Sequence, residues 1–223
     1  MSGLAERAHQ LRVRVEQACE RAGREPGSVE ILAVSKFHPV EAIREAVRCG
    51  FSRMGENYVQ EGVRKAPEVP EAAFLLIGPL QRNKVRPALL HFQELMTLDR
   101  PELAARLRLL AGELEVTRPV WIQVDLWDEA TKAGGCPEEA VPGVMDALGG
   151  DPRLPLQGFL AIPPPEALQA FQDMAALRTR WEQRLGARLR LSMGMSDDLE
   201  AAVAAGTDQV RIGTALFGSR VHP

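Results

Sequence analysis

Eight short apolar runs, nearly every one followed by an amphipathic segment, alternate along most of the chain. The runs are rich in Val, Ile, Leu and Phe, which favours buried strands, and the segments between them have helical spacing of apolar residues. Eight strands in βα alternation are the number that forms a (β/α)8 barrel, the TIM barrel. The predicted strands are Ile31–Ser35, Phe51–Met54, Phe74–Ile77, Glu94–Leu98, Val120–Asp125, Leu156–Ile162, Leu189–Ser192 and Gln209–Ile212.

The segment before the first predicted strand does not belong to these repeats. Leu4 to Ala22 is amphipathic and has no strand before it, so we expect an extra N-terminal helix packed across the barrel. No Pro-, Gly- or Ser-rich linker divides the 223 residues, of which 45% are hydrophobic, and we predict one domain over residues 1–223. A doubly wound open sheet is the competing fold, but the chain has no glycine-rich nucleotide fingerprint.

The charge and composition exclude several classes of partner. The formal net charge is −3 and no block of like charges occurs, which argues against surfaces for nucleic acid or anionic membranes. The charged N-terminus lacks a continuous apolar stretch, so we expect neither a signal peptide nor a membrane span. Three scattered cysteines and four histidines give no disulfide framework and no metal-ligand spacing. We therefore expect a cytoplasmic protein without a metal.

One lysine stands where a barrel enzyme would place a reactive amine. Lys36 ends the apolar run that starts at Val29, and it is one of only four lysines in the chain. Chemistry in this fold gathers at the C-terminal ends of the strands. The position fits an amine that forms a Schiff base, and it also fits a lysine that simply keeps a loop solvated.

The last two predicted strands run into loops that carry glycines and hydroxyl groups. Ser192–Asp198 follows the seventh strand, where Ser196 is predicted to cap a helix over Asp197–Ala205, and Arg211–Gly218 follows the eighth, with Gly213 and Thr214. Helix N-termini present unpaired N–H groups and a partial positive charge, and these two loops form the recurrent phosphate site of barrels. Ser196 and Thr214 could equally be ordinary helix caps, and the two aspartates would oppose an anion.

An amine at the first strand and a phosphate cradle at the last two would adjoin in a closed barrel. Together they favour a ligand that carries both an aldehyde and a phosphate, of which pyridoxal 5′-phosphate (PLP) is one. A sugar phosphate held by an aldolase lysine meets the same two requirements. On these residues alone, both ligands stay open.

Five motifs, in order and spanning nearly the whole chain, carry a family resemblance. They are Ala33–Lys36 (AVSK), Gly55–Glu61 (GENYVQE), Ile77–Lys84 (IGPLQRNK), Leu191–Asp198 (LSMGMSDD) and Val210–Thr214 (VRIGT). In this combination the chain resembles the YggS/PROSC family, the pyridoxal phosphate homeostasis proteins.

The resemblance implies a fold-type III barrel, similar to the N-terminal domain of alanine racemase, in which Lys36 forms the internal aldimine with PLP. It also implies no robust catalytic turnover. The other residues that it implies at the cofactor share three tasks: contact with the ring, contact with the pyridine nitrogen and binding of the phosphate. They are Asn57 and Met193 at the ring, Arg211 at the nitrogen, and Ser196, Gly213 and Thr214 at the phosphate.

The chain departs from the family pattern at two positions, Leu75 and Asp125, where relatives often have His and Asn. Arg211 can only donate hydrogen bonds, so a pyridine nitrogen facing it would stay unprotonated and support carbanion chemistry poorly. A racemase also needs a second acid or base, and Tyr58, the only tyrosine, is better interpreted as a packing or ring-flanking residue.

We therefore predict a PLP-binding protein of intracellular PLP homeostasis that is not an enzyme, with PLP-dependent client enzymes as further partners. A weak PLP-dependent amino-acid racemase is the alternative, and a Schiff-base aldolase is the third hypothesis. Without the partner-dependent β domain of racemases, we expect a monomer, with a dimer left open. We interpret the basic segment Gln81–Arg86 as a solvated helix start, and Lys132, in a glycine-flexed loop, as a surface lysine.

Overall fold

The computed structural model describes residues 3–127, 134–164 and 168–218. Within these ranges eight parallel strands follow one another in chain order around a closed barrel. This arrangement confirms the predicted (β/α)8 fold. The strands are β1 (Glu30–Val34), β2 (Arg53–Glu56), β3 (Ala73–Leu76), β4 (Glu94–Leu98), β5 (Val120–Gln123), β6 (Leu156–Leu160), β7 (Arg190–Ser192) and β8 (Gln209–Ile212).

Helices surround the barrel and connect its strands. Short 3₁₀ turns lie at Ala66–Glu68, Arg82–Lys84 and Glu138–Ala140. The basic segment Gln81–Arg86 contains one of these turns, which leads directly into a helix at Val85, so the predicted helix start is confirmed. The α-helices are α1 (Gly3–Arg21), α2 (Val40–Arg48), α3 (Val59–Lys65), α4 (Val85–His91), α5 (Pro101–Leu114), α6 (Val141–Leu148), α7 (Leu168–Leu185), α8 (Leu199–Ala204) and α9 (Thr214–Phe217).

Of the predicted strands, β2 is displaced the furthest, beginning at Arg53 instead of Phe51. Phe51 is buried in the core, but it belongs to the loop that precedes the strand, and the guanidinium of Arg12 lies over its ring. The strand itself contains Arg53 and Glu56, whose charges are compensated by ion pairs. Apolar character alone therefore misplaced the strand.

The barrel closes where β1 pairs with β8. Leu32 lies opposite Arg211 and Ala33 lies opposite Ile212 in this parallel pair. Because the register continues past both strand ends, the loop after β1 and the loop after β8 emerge side by side at the C-terminal end of the barrel. The pairing thus brings together the two ends of the chain that carry the predicted site.

Alternation along the strands divides the core into two layers. An extensive outer layer lies between strands and helices and includes Ala33, Phe74 and Ile212. A smaller cluster inside the barrel is separate from it. The inner cluster consists of Leu32, Leu75, Met96, Trp121 and Leu160.

Charged side chains close the N-terminal end of the barrel. Arg53 pairs with both Glu30 and Glu94, and Arg190 donates to the second oxygen of Glu30 at 2.6 Å. The indole N–H of Trp121 donates to the free oxygen of Glu94 at 2.9 Å. The two arginines and the two glutamates at this end thus compensate one another.

The N-terminal segment forms the extra helix that its pattern predicts. In α1, Leu4, Ala8, Leu11 and Val15 are buried against the barrel's outer layer. The helix packs against α8 and α9, which follow the last two strands. It therefore contacts the part of the barrel that the sequence identifies as the phosphate end.

Two further properties concern only the described ranges. No helix there combines the length and the apolar character that crossing a membrane requires. The same ranges contain no group of three His, Cys, Asp or Glu side chains that could hold a metal ion.

Gly158 in β6 offers a test of the barrel's packing. A Cβ at this position would lie 1.9 Å from the carbonyl oxygen of Arg190 in the neighbouring strand. We expect Gly158→Ala to lower the free energy of unfolding by about 3 kcal/mol, because two backbones would have to separate. Urea unfolding followed by circular dichroism measures this change.

The matched control is Gly143→Ala in α6, where the added Cβ would lie 3.4 Å from Pro101 Cγ. There we expect no loss, and a gain of up to about 1 kcal/mol, since alanine favours helix more than glycine does. Equal stabilities of the two variants would contradict the close approach of β6 and β7.

Candidate functional site

A cleft of about 520 Å³ opens at the C-terminal end of the barrel. It is bounded by the loops after β1, β2, β7 and β8 and by one face of α1. Its residues come from both ends of the chain. The lining residues are Arg14, Val34, Lys36, Asn57, Ile77, Ile162, Met195, Ser196, Asp197, Arg211, Gly213, Thr214 and Ala215.

Six of the seven predicted site residues line this one cleft. They are separated by up to 178 positions in the sequence and are brought together by the closure of the barrel. The six are Lys36, Asn57, Ser196, Arg211, Gly213 and Thr214.

Met193, predicted beside a ligand ring, is the exception and does not line the cleft. Its side chain is fully buried and packs in the outer core. The reason is strand alternation: Leu191 and Met193 face the helices, whereas Ser192 faces the barrel interior. Met195, two residues further on and 42% exposed, lines the cleft instead.

Lys36 follows the end of β1 by two residues and is half-buried. Alternate residues of a strand lie on the same face, which places Lys36 on the face of Leu32 and Val34. Leu32 points into the barrel interior. The side chain of Lys36 thus rises from the inner face at the open end. Phe37, directly after it, has a φ of 65°, which turns the chain sharply away from the cleft.

A buried ion cluster lies between β2 and α3. The Nζ of Lys65 donates to Glu56 Oε1 at 2.8 Å, to Glu61 Oε1 at 2.6 Å and to the carbonyl oxygen of Ser35 at 2.7 Å. The hydroxyl of Ser35 donates to the same oxygen of Glu56 at 2.6 Å. Lys65 is 2% exposed, so this amine is committed to the cluster.

This cluster fixes the backbone on both sides of Lys36. Ser35, the residue before it, is bonded through its carbonyl oxygen and its hydroxyl. Phe37, the residue after it, donates its backbone N–H to Glu61 Oε1 at 2.7 Å. The positive φ of Phe37 is therefore held by a charge-assisted hydrogen bond, and the segment that carries Lys36 has little freedom.

Glu56 is the most deeply buried acid of the cluster. Burial is the main cause that raises the pKa of its carboxyl, and the interactions with Lys65 and Ser35 oppose that rise. Its Oε2 has no hydrogen-bond partner. Sequence reasoning missed this cluster, although Glu61 and Lys65, spaced four apart on one predicted helix, were the available signal.

Arg211 is buried in the upper part of the barrel and is held by neutral partners. Its guanidinium donates to the carbonyl oxygen of Ser192 at 2.6 Å and to that of Ala161 at 2.8 Å. Burial lowers the pKa of this guanidinium to about 10, which still leaves it charged at neutral pH. A rigid cation without a paired carboxylate thus lines the cleft, and it can only donate.

The loop after β7 does not end in the predicted cap. The helix α8 begins at Leu199 with Asp198 as its N-cap, so Ser196 lies in the loop and not at the cap. Asp198 Oδ1 accepts the backbone N–H of Met195, which folds the loop back on itself. Gly194 permits this turn with a φ of 95°, and a Cβ there would lie 2.4 Å from that of Ala202.

The loop after β8 is shorter. Gly213 is the N-cap of α9 and Thr214 is its first residue, so the hydroxyl of Thr214 is not a cap either. The sequence left open whether Ser196 and Thr214 are helix caps or phosphate ligands. Both residues line the cleft, and neither occupies the N-cap position of its helix.

The backbone of Asn57 packs closely against Gly78, which follows the next strand, β3. A Cβ on Gly78 would lie 2.1 Å from the carbonyl oxygen of Asn57. The carbonyl of Gly78 in turn accepts the hydroxyl of buried Thr97 at 2.7 Å. The glycine of the IGPL motif is therefore a packing requirement for the loop that carries Asn57.

The remaining candidates lie elsewhere. Tyr58 is 52% exposed, tilts against Phe37 with ring centroids 5.6 Å apart, and is not among the lining residues. Leu75 belongs to the inner barrel cluster, and Asp125 accepts the backbone N–H of Trp127. Lys132 lies outside the described residues.

The buried cluster generates a stability prediction. Lys65→Met should lower the free energy of unfolding by about 3–5 kcal/mol, because Glu56 and Glu61 would lose the cation that compensates them. Arg86→Met, which breaks an exposed pair with Glu113, should cost less than about 1 kcal/mol. Guanidinium unfolding measures both, and a loss of similar size in the two variants would contradict the role of burial.

Comparison with known proteins extends over the whole chain. The sequence profile of the family described as "Alanine racemase, N-terminal domain" matches residues 7–221. The pyridoxal phosphate homeostasis protein of Pseudomonas aeruginosa is 43% identical over 225 residues, covering 99% of this chain and 97% of its own length. That of Escherichia coli K12 is 40% identical over 234 residues, covering 99% and 98%.

Solved structures agree with these sequence relatives. PipY of Synechococcus elongatus PCC7942, solved with PLP bound, is 35% identical, with a TM-score of 0.84 over 96% of this chain and 100% of its own. An alanine racemase of Clostridium difficile 630 shares the fold alone, at 12% identity and a TM-score of 0.76 over 95% of this chain and 57% of its own. The family predicted from the five motifs is confirmed: the chain belongs to the pyridoxal phosphate homeostasis proteins.

Proposed function

We propose that this chain binds pyridoxal 5′-phosphate in the cleft and holds it for intracellular homeostasis without substrate turnover. The observation that carries the proposal is that a lysine amine and two hydroxyl-bearing loops line one cleft. The amine suits an aldehyde, and the loops offer N–H and O–H donors to a phosphate. The cleft is also deep enough to contain a buried cation, Arg211.

Seven of the lining residues have a task in this proposal. Lys36 is the amine that links to the aldehyde carbon, with loss of one water molecule, and Asn57 flanks the ring. Ser196, Gly213 and Thr214 bind the phosphate, and Arg211 faces the pyridine nitrogen. Met195 replaces Met193 as the methionine beside the ligand, since it lines the cleft.

The relatives support the same ligand. Proteins at 40–43% identity over nearly their full length are named pyridoxal phosphate homeostasis proteins, and PipY has been solved with PLP bound. A chain that retains the lysine and both loops in one cleft has the groups that such a ligand requires.

Absence of turnover is proposed from the chemistry of the described lining. Besides Lys36, the ionisable lining residues among the described positions are Arg14, Asp197 and Arg211. Two arginines are poor proton carriers at neutral pH, and Asp197 belongs to the phosphate end. When bound, the cofactor supplies an electron-withdrawing ring, and a guanidinium at its nitrogen leaves that ring weakly activated.

We further propose PLP-dependent enzymes as recipients of the cofactor, the cytoplasm as its location and a monomer as the active form. Three free cysteines, two of them buried, suit a reducing compartment. A linkage through one half-buried amine at an open cleft permits exchange with free amines, which a carrier needs.

The spectrum of the purified protein with added PLP tests the linkage. We expect absorbance at the violet edge of the visible for the wild type and for Lys84→Ala, and none for Lys36→Ala. Borohydride reduction followed by peptide mass mapping should locate the added mass on Lys36, because a reduced imine is stable.

Two results would overturn this proposal. One is a wild-type protein that stays colourless with PLP, which would favour an aldolase-type lysine. The other is added mass on Lys132 or Lys84 in place of Lys36. The Lys84→Ala variant controls for removal of a lysine away from the cleft.

Incubation of the loaded protein with L-alanine in D2O tests the absence of turnover. We expect no exchange of the α-proton at an enzyme-like rate, since besides Lys36 the described lining offers only two arginines and Asp197, at the phosphate end, as ionisable groups. Proton NMR follows the α-signal, and an alanine racemase under the same conditions is the positive control. Exchange at a comparable rate would establish the racemase alternative.

A further inference from the structure

The two loops proposed for the phosphate have weak local support. Of the helices that follow them, α8 has six residues and α9 has four. Isolated helices of this length are unstable in water, and their end dipoles are correspondingly small. The bond from the Met195 N–H to Asp198 is one local restraint, and further support for the loops comes from elsewhere in the fold.

Two arginines of α1 provide this support. Arg14 donates Nη1 to the carbonyl oxygen of Ser196 at 2.8 Å, and it binds both carboxylate oxygens of Glu200 in α8 at 2.6 and 2.7 Å. Arg7 donates to the carbonyl oxygens of Leu216 at 2.8 Å and Phe217 at 3.1 Å, at the end of α9.

The two arginines are seven residues apart, which is two helical turns, so they lie on the same side of α1. One bonds the loop after β7 and the other bonds the helix after β8. Both bonds go to backbone carbonyls, so they fix the course of the chain independently of the side chains in the loops. The helix outside the eight repeats thus contacts both halves of the phosphate end.

Arg14 also lines the cleft, together with Ser196 and Asp197. Glu200 is the main cause that raises the pKa of the Arg14 guanidinium, with a smaller contribution from Asp197. The carboxylate of Asp197 would repel a phosphate, and Arg14 is the lining cation from α1 that offsets it. Since Glu200 already compensates the charge of Arg14, we expect Arg14 to act more by orienting the loop than by attracting the phosphate.

We infer that Arg14 is a positioning residue for the ligand phosphate, and that α1 makes this cleft selective for phosphorylated aldehydes. The inference rests on the proposed function and adds to it a residue and a specificity. Arg14 binds the carbonyl oxygen of Ser196 and the carboxylate of Glu200, so it ties the loop after β7 to α1 and to α8 beside the cleft.

Binding measurements with three ligands distinguish a specific loss of phosphate binding from a general loss of structure at the cleft. The ligands are PLP, inorganic phosphate as a competitor, and pyridoxal, which has the aldehyde but no phosphate. In Arg14→Met we expect the Kd for PLP and the inhibition constant for phosphate to rise about tenfold, the equivalent of one charge-assisted hydrogen bond. The Kd for pyridoxal should stay unchanged.

The matched control is Arg12→Met on the same helix. Arg12 donates to the carbonyl oxygen of Cys49 at the end of α2, away from the cleft. We expect this variant to keep the wild-type ratio of PLP to pyridoxal affinity. The control thus removes an arginine–carbonyl bond of α1 without touching the phosphate end.

Glu200→Gln keeps the inference testable if Arg14→Met fails to fold. Removal of a negative charge near the phosphate would by electrostatics alone strengthen PLP binding. If Glu200 orients Arg14, the same change weakens PLP binding by several-fold and spares pyridoxal. Tighter PLP binding in Glu200→Gln would overturn the inference.

In Arg14→Met, an unchanged ratio of PLP to pyridoxal affinity would also overturn it, whether both affinities fall together or neither does. A different result would contradict the proposed function, namely a wild-type protein that gains no violet absorbance when PLP is added. The two failures are therefore distinguishable in one set of titrations.

Discussion

Closure of the barrel between β1 and β8 is the constraint on which the rest of the structure depends. The pair aligns Leu32 with Arg211 and Ala33 with Ile212, so residues almost 180 positions apart become neighbours. Lys36 and the loop at Gly213 then emerge at the same end. The site therefore exists only when all the strands are in register, because an open sheet would leave its two halves on opposite edges.

The two ends of the barrel divide structural and chemical tasks between them. At the N-terminal end, Arg53 and Arg190 are compensated by Glu30 and Glu94. At the C-terminal end, Arg211 is bonded to neutral carbonyl oxygens and its charge faces the cleft. This asymmetry fits the fold, because in (β/α)8 barrels the ligand-binding groups come from the loops at the C-terminal ends of the strands.

Two groups of contacts support the cleft, one next to Lys36 and one next to the loops after β7 and β8. The Lys65 cluster binds the residues on both sides of Lys36, and it uses buried charges whose pairing is costly to break. The helix α1 binds the loops at the opposite side of the cleft through Arg7 and Arg14. Both supports attach to backbone atoms, so the positions of the ligand-binding groups are set by the fold and vary little with the loop side chains.

The sequence by itself determined the barrel, all eight strand positions to within two residues, the extra helix and six of the lining residues, because alternation and motif order are local properties of the chain. It shifted β2 by two residues, since Phe51 is apolar but lies in a loop, and it did not show that the parity of β7 turns the Met193 side chain toward the helices. Only the tertiary structure decided that Lys65 and Arg14 support the site. Apart from Glu61, which is on the same helix as Lys65, their partners lie elsewhere in the fold, and such contacts depend on how helices pack around the closed barrel, which no local pattern specifies.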